Sequence, residues 1–248
     1  MIKVGFGGGF RKIGFDSSIF DPVTLFADGK QGVFYDPSKL SSLWQNAART
    51  IPVTADGDPV GCMDDLSGNS NHATQSVSVA RPIYKTDGIL HWLQFDGVDD
   101  YLKIKAFQSS LSQPYFSSFG VTQKDVTTLR LMDSTSSTTR LALVAIDGIF
   151  YVNTGGSTAS KSNPLVINSP SVFTLIARGV SSSMRHNSIS TSVSTGTTSA
   201  NNLAIGTNSL LSAQGAFDLY SVVIASYSVD DDVVIVENYT ADKAGVTL

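Results

Sequence analysis

The sequence predicts an all-β chain folded as a two-sheet antiparallel sandwich. Three observations predict it. LALVAI and IFYV flank Asp147-Gly148, a dipeptide suited to a type I′ turn, which is the pattern of a β-hairpin. Further apolar runs, SVFTLIAR, NNLAIG and FDLYSVVIA, recur with Ser/Thr/Gly/Asn-rich loops between them. Finally, 248 residues with 42% hydrophobic content can build one large sandwich core, and that content argues against global disorder.

Residues 1–32 carry Phe6, Phe10, Phe15, Phe20 and Phe26 among glycines, with no sustained period of 2 or 3.6. Five phenylalanines are too many for a solvated linker. They can be buried against another subunit or by folding back on the chain's own sandwich. The first alternative makes residues 1–32 an attachment arm with those phenylalanines as assembly contacts, and 33–248 the sandwich domain.

A short helix is expected next: Asp36 as N-cap, Pro37 at the first helical position, and Leu40, Leu43, Trp44 and Ala47 at i, i+3, i+4 and i+7. Turn-rich stretches follow at Ala55–Pro59 and Ser67–Asn69. A strand then sets Leu102, Ile104 and Ala106 on one face and Tyr101, Lys103 and Lys105 on the other, so one face is wet. The Ser/Thr-rich stretches 133–139, 181–183 and 188–199 read as loops or edge strands. Residues 229–243 satisfy two readings. Val233–Val236 favour a strand, whereas a Ser228 cap, three aspartates in the first turn and the Val229/Val233/Val236 spacing favour a helix.

The stretches YDPSKLSSLWQ, PVTADGDPVG, DDLSGNSNHATQ, RPIY and LHWLQFDGVDDYL follow one another between Tyr35 and Leu102. NNLAIGTN and GAFDLYSVVIASYSVDDDVVIVENYTADKAG close the chain. In this order they resemble the concanavalin A-like (LamG-like) jelly-roll domains of tailed-phage virion proteins and secreted bacterial proteins. The resemblance implies a jelly-roll sandwich with a helix at its C-terminus, and decides 229–243 for the helix. It also implies a virion part of the tail-tip, tail-fibre or capsid-decoration class. Such a part would be present as a homo-oligomer or in many copies, docked on other virion proteins through residues 1–32.

Composition narrows the chemistry. A formal net charge of −4 and 15% charged residues leave no basic footprint for nucleic acid. No run of 18 apolar residues is present to span a membrane as a helix. MIKVGFGGGFRKIGFD lacks the continuous apolar stretch of a secretory signal, so assembly in a host cytoplasm is expected, with the virion as destination. The lone Cys62 precludes an internal disulfide and reads as a small buried residue. Glycosidases place two carboxyl groups about 5–9.5 Å apart, and hydrolases of the resembled fold carry paired glutamates on one strand. This chain has a single glutamate, Glu237. There is no G-x-S-x-G motif, and His72, His91 and His186 lack triad or zinc-ligand spacing. The expectation is therefore a non-enzyme without a required cofactor. A glycan-degrading enzyme with an atypical site and a bacterial carbohydrate-binding module are the alternatives.

Two polar loops gather oxygens. Asp64 and Asp65 open one and Asp99 and Asp100 close the other, a set that would serve calcium if the loops converged. The competing reading is that these side chains cap tight turns. Stacking on a host-surface glycan would require an exposed ring, for which Trp92, Tyr101 and Tyr151 are the candidates.

Overall fold

The computed structural model describes residues 20–248 apart from 126–127, 137–138, 148, 156, 163–165 and 227–228. The strands run in chain order from β1 (Gly32–Tyr35), β2 (Leu43–Trp44), β3 (Cys62–Met63), β4 (Ala73–Thr74) and β5 (Ile83–Thr86) to β6 (His91–Asp96). After β7 (Leu102–Ile104) come the long β8 (Tyr115–Gln123), β9 (Thr128–Ser134), β10 (Leu141–Ile146), β11 (Ile149–Thr154) and β12 (Ser157–Ser162). The last are β13 (Pro170–Ala177), β14 (Ser182–His186), β15 (Ile189–Val193), β16 (Leu203–Ile205) and β17 (Ala216–Ser226), followed by the helix α1 (Asp230–Ala244).

These strands form two antiparallel sheets, the expected all-β sandwich. The first has the order β15-β14-β13-β8-β17-β6-β5, with β1 added to β17; the second runs β12-β11-β10-β9-β16-β7-β4-β3-β2. Strand β17 is eleven residues long; β8 runs along one edge of it and two strands share the other. Its first half pairs with β6, Ala216 opposite Asp96, and its second half pairs with β1, Ala225 opposite Gly32. Residues from both sheets interdigitate between them, with Phe150 of β11 stacked on Phe173 of β13 at 3.7 Å, while Phe95 and Phe217 stack at 4.5 Å between neighbouring strands of the first sheet. Such pairs add to simple burial because offset rings complement each other's quadrupoles.

A second, smaller core lies on the outer face of the first sheet, where α1 sets Val233, Val236 and Tyr239 against Phe116, Ile176 and Val223. Gly120 allows this approach, because a Cβ there would stand 3.1 Å from the Thr240 carbonyl oxygen. The aspartates at 230–232 occupy the first turn of α1 and oppose its positive end. Val229 is exposed and adds nothing to the buried stripe, and Ser228 lies outside the described residues.

The 141–154 hairpin forms as predicted, six residue pairs from Leu141↔Thr154 to Ile146↔Ile149, with Asp147 at φ 50° in the turn. The helix expected at 36–47 does not form. Asp36 does accept the Ser38 amide, but helical geometry is limited to a 3₁₀ turn at Leu40–Ser42, after which Leu43 and Trp44 enter β2. Strand pairing with β3 buries Leu43 completely and turns Trp44 to the opposite face, beneath the Arg49 guanidinium. Burial in the sheet outweighs the marginal stability of a short helix. Strand β7 ends at Ile104, and Phe107, not Ala106, returns to the core.

The described part of the 1–32 segment, from Phe20 onward, lies against the sandwich. Phe6, Phe10 and Phe15 lie outside the described residues. Phe26 is 6% exposed and packs in the small outer core with Phe34 and Val223, and Phe20 packs against the same cluster. Gly32 already belongs to β1. Phe20 and Phe26 are therefore intramolecular packing residues: the aromatic side chains find apolar surface on their own sheet, beside α1.

Candidate functional site

Helix α1 covers only part of the outer face of the first sheet, and strand alternation determines what lies beside it. On β6, Leu93 and Phe95 point into the sandwich, so Trp92, Gln94 and Asp96 share the outer face. On β17, Phe217 and Leu219 point inward, which places Ala216, Asp218 and Tyr220 outward. A register shift between Leu219 and Ser221 then resets the alternation so that Val223 and Ala225 lie under α1. Thr122 of β8 stands opposite Asp218.

The result is a polar and aromatic strip. The Trp92 and Tyr220 rings are 5.9 Å apart and tilted by 45°. The Tyr220 hydroxyl meets Thr122 Oγ1 at 3.2 Å, and Lys124 Nζ lies 2.7 Å from Asp218 Oδ2. Asp218 is 2% exposed. Burial raises its pKa, against the opposing pull of Lys124 and of the Trp92 indole N–H. The contact with Trp92 falls short of full hydrogen-bond geometry, leaving Asp218 Oδ1 and Trp92 Nε1 buried without a complete partner. Trp92 is itself half-buried: its N–H edge turns in towards Asp218 and the remainder reaches the surface.

At the end of β6 the strip runs into a turn and a cleft. Asp96 Oδ1 accepts the amides of Val98 and Asp99, while Asp100 Oδ2 accepts the Asp96 amide at 3.0 Å. Gly97, at φ +78°, makes the turn possible, since a Cβ there would come within 2.9 Å of Ala216 Cβ. Carboxylate oxygens of Asp96, Asp99 and Asp100 lie within 4.8 Å of one another. Beside them opens a cleft of about 310 Å³ lined by Asp96, Asp125, Thr128, Arg130 and Gln214.

Asp64 and Asp65 do not join this group. Asp64 accepts from Trp44 Nε1 at 2.9 Å and from Arg49 Nη2 at 3.0 Å, and Asp65 accepts the amides of Phe34, Ser67 and Asn71. Donors from nearby segments occupy these oxygens, so the two polar loops do not converge on one ion. Asp96 takes part in the carboxylate group instead. Tyr101 leads into β7 of the second sheet, and Tyr151 sits on β11, also in the second sheet. The three candidate rings thus do not form one platform; Trp92 packs on Tyr220, which is buried and supports the indole without offering a ring to solvent.

Asp100 is buried, and desolvation, reinforced by Asp96 and Asp99, pushes its carboxyl up to about 7. A raised folded-state pKa means that the folded chain keeps a proton that the unfolded chain gives up near pH 4. Stability from this group is full below about pH 4 and is lost as pH rises towards 7. Asp100→Asn should therefore flatten the melting profile between pH 5 and 8, by a few degrees relative to the parent. Because Asp96 and Asp100 serve backbone amides, chelator or calcium should move the midpoint by less than about 2 °C. Thermal melts across this pH range, with and without each addition, check both expectations.

Glu237 is 1% exposed on α1, and its Oε1 accepts from Arg185 Nε at 2.7 Å. It is thereby committed to docking the helix on β14. Among the described residues no helix is long and apolar enough to cross a membrane.

Comparison of the sequence with protein-family models and with curated proteins gives no match. Solved structures share the fold. An arabinofuranosidase complexed with arabinofuranosyl-α-1,2-xylobiose superposes with a TM-score of 0.59 at 14% identity, over 91% of this chain and 65% of that one. The ligand-binding domain of botulinum neurotoxin serotype D, in complex with N-acetylneuraminic acid, gives 0.58 at 10% identity, over 88% and 52%. The receptor-binding domain of botulinum neurotoxin D gives 0.54 at 9% identity, over 71% and 50%. The chain spans about half the length of these toxin domains. At such identities the likeness establishes the two-sheet sandwich fold and nothing finer.

Proposed function

We propose that the chain is a non-catalytic, glycan-binding sandwich carried on a phage virion, where it contacts the host surface. The observation that carries the binding reading is the surface around Trp92 beside α1. There a partly exposed indole with an inward-turned N–H edge packs over the buried Tyr220 ring, and the exposed Gln94, Asp96 and Lys124 lie along the way to a polar cleft. Sugars are bound by such a combination, because their C–H faces stack on rings while their hydroxyls require donors and acceptors. Two fold neighbours were solved with saccharides bound, which is consistent with this use of the sandwich.

The non-catalytic reading rests on Glu237. The sole glutamate is buried against Arg185, and no second glutamate exists to pair with it. The virion reading rests on the motif resemblance and on the phenylalanine-rich N-terminal segment. With Phe20 and Phe26 occupied internally, docking on other virion proteins falls to Phe6, Phe10 and Phe15. Each copy would bind weakly, and many copies on one particle would supply avidity.

Binding to immobilised host-envelope polysaccharide tests the strip. Trp92→Ala should abolish retention or weaken it at least about tenfold, a loss of about 1.4 kcal/mol or more, with the fold intact by circular dichroism. Tyr151→Ala should leave it unchanged. Retention unaffected by Trp92→Ala would refute this location.

A further inference from the structure

We propose that the strip selects neutral or amino sugars and rejects sugars bearing a carboxylate, such as sialic and uronic acids; this deepens, and rests on, the glycan-binding reading above. The charge around the cleft decides it. Asp96 and Asp125 line the cleft, with Asp99 and Asp100 at the adjoining turn, against the single guanidinium of Arg130. The other nearby cation, Lys124, is neutralised at 2.7 Å by Asp218. An oligosaccharide stacked on the exposed part of Trp92 and running along β6 to the cleft therefore enters a field of net negative sign.

A carboxylate-bearing sugar would have to replace its hydration shell with like charge, which is unfavourable at these separations even where solvent reaches. A neutral sugar pays no such penalty, because carboxylates accept hydrogen bonds from its hydroxyls. The ammonium of a hexosamine with a free amine would be attracted. Buried Asp218 adds an acceptor, Oδ1, without a complete protein partner. That oxygen can accept a hydroxyl or an ammonium once the indole shifts, and it offers nothing to a carboxylate.

A printed array carrying related oligosaccharides in neutral, amino and carboxylated forms, probed with the full chain in low salt at pH 8, tests the inference. Carboxylated members should bind at least about tenfold more weakly than their neutral counterparts. In the double variant Asp96→Asn/Asp125→Asn, both changes being at exposed positions, the gap should shrink to within about threefold. Added salt should narrow it in the parent as well. Preferential binding of carboxylated members would overturn the charge inference and leave glycan binding standing. Retention of no glycan of any class would overturn both. An unchanged gap in the double variant would show that the discrimination arises elsewhere.

Discussion

Replacing Arg185 with methionine should lower the melting midpoint by roughly 10 °C. The arginine is the ion-pair partner of Glu237, which sits at the interface of α1 and the first sheet, its Oε2 already lacking a hydrogen bond among the described residues. Removing one member of a buried pair leaves an uncompensated carboxylate, a change that costs about 3–5 kcal/mol in comparable sites. Arg185 retains some solvent contact, so the lower end, about 3 kcal/mol, is expected, and each kcal/mol corresponds to about 2–4 °C for a domain of this size. The double variant Arg185→Met/Glu237→Leu removes the charge together with its partner and should recover most of the loss. Thermal melts of the three proteins decide it. If the single variant melted like the parent, the pair would not be what secures α1.

Two truncations should separate sharply. Deleting residues 1–32 removes Phe26 from the small outer core and the Gly32↔Ala225 pairing from the end of β17. Emptying a buried phenylalanine site costs about 3–5 kcal/mol, and a drop on the order of 10 °C follows. Deleting only residues 1–19 leaves both features in place and should not change the midpoint by more than about 2 °C, while preventing incorporation into particles. Equal stability of the two truncations would leave the domain boundary at residue 33. Normal incorporation without residues 1–19 would remove the assembly role from Phe6, Phe10 and Phe15.

Much of the fold was legible because it is written in local patterns. The Asp147 turn between two apolar runs specifies its hairpin without help from the rest of the chain. The helix at Asp230–Ala244 was not legible locally, since Val233–Val236 suit a strand equally well; the resemblance settled it, and the sheet surface beneath supplies the physical reason. The misread helix at 36–47 has the converse cause. Its caps and spacing were correct for a helix, but Leu43 had a better partner twenty residues away in Met63.

The site was legible only in part. The alternation in His91–Asp96 would have placed Trp92, Gln94 and Asp96 on one face. No local signal brings Thr122, Lys124, Asp218 and Tyr220 to them, because that convergence depends on strand neighbours and on the register shift at Leu219. The Asp64 and Asp65 loop matched in composition and failed in place, since Trp44, Arg49 and Phe34 supply its donors.

Amide hydrogen exchange of the full chain, with and without a host-surface oligosaccharide at saturating concentration, shows whether the Trp92 surface beside α1 binds glycan. Slowed exchange is expected in the segments around Trp92–Asp100, Lys124–Arg130 and Gln214–Tyr220, with β10 and β11 unchanged. Protection centred on Tyr151 and the second sheet, or no protection at saturation, would contradict it.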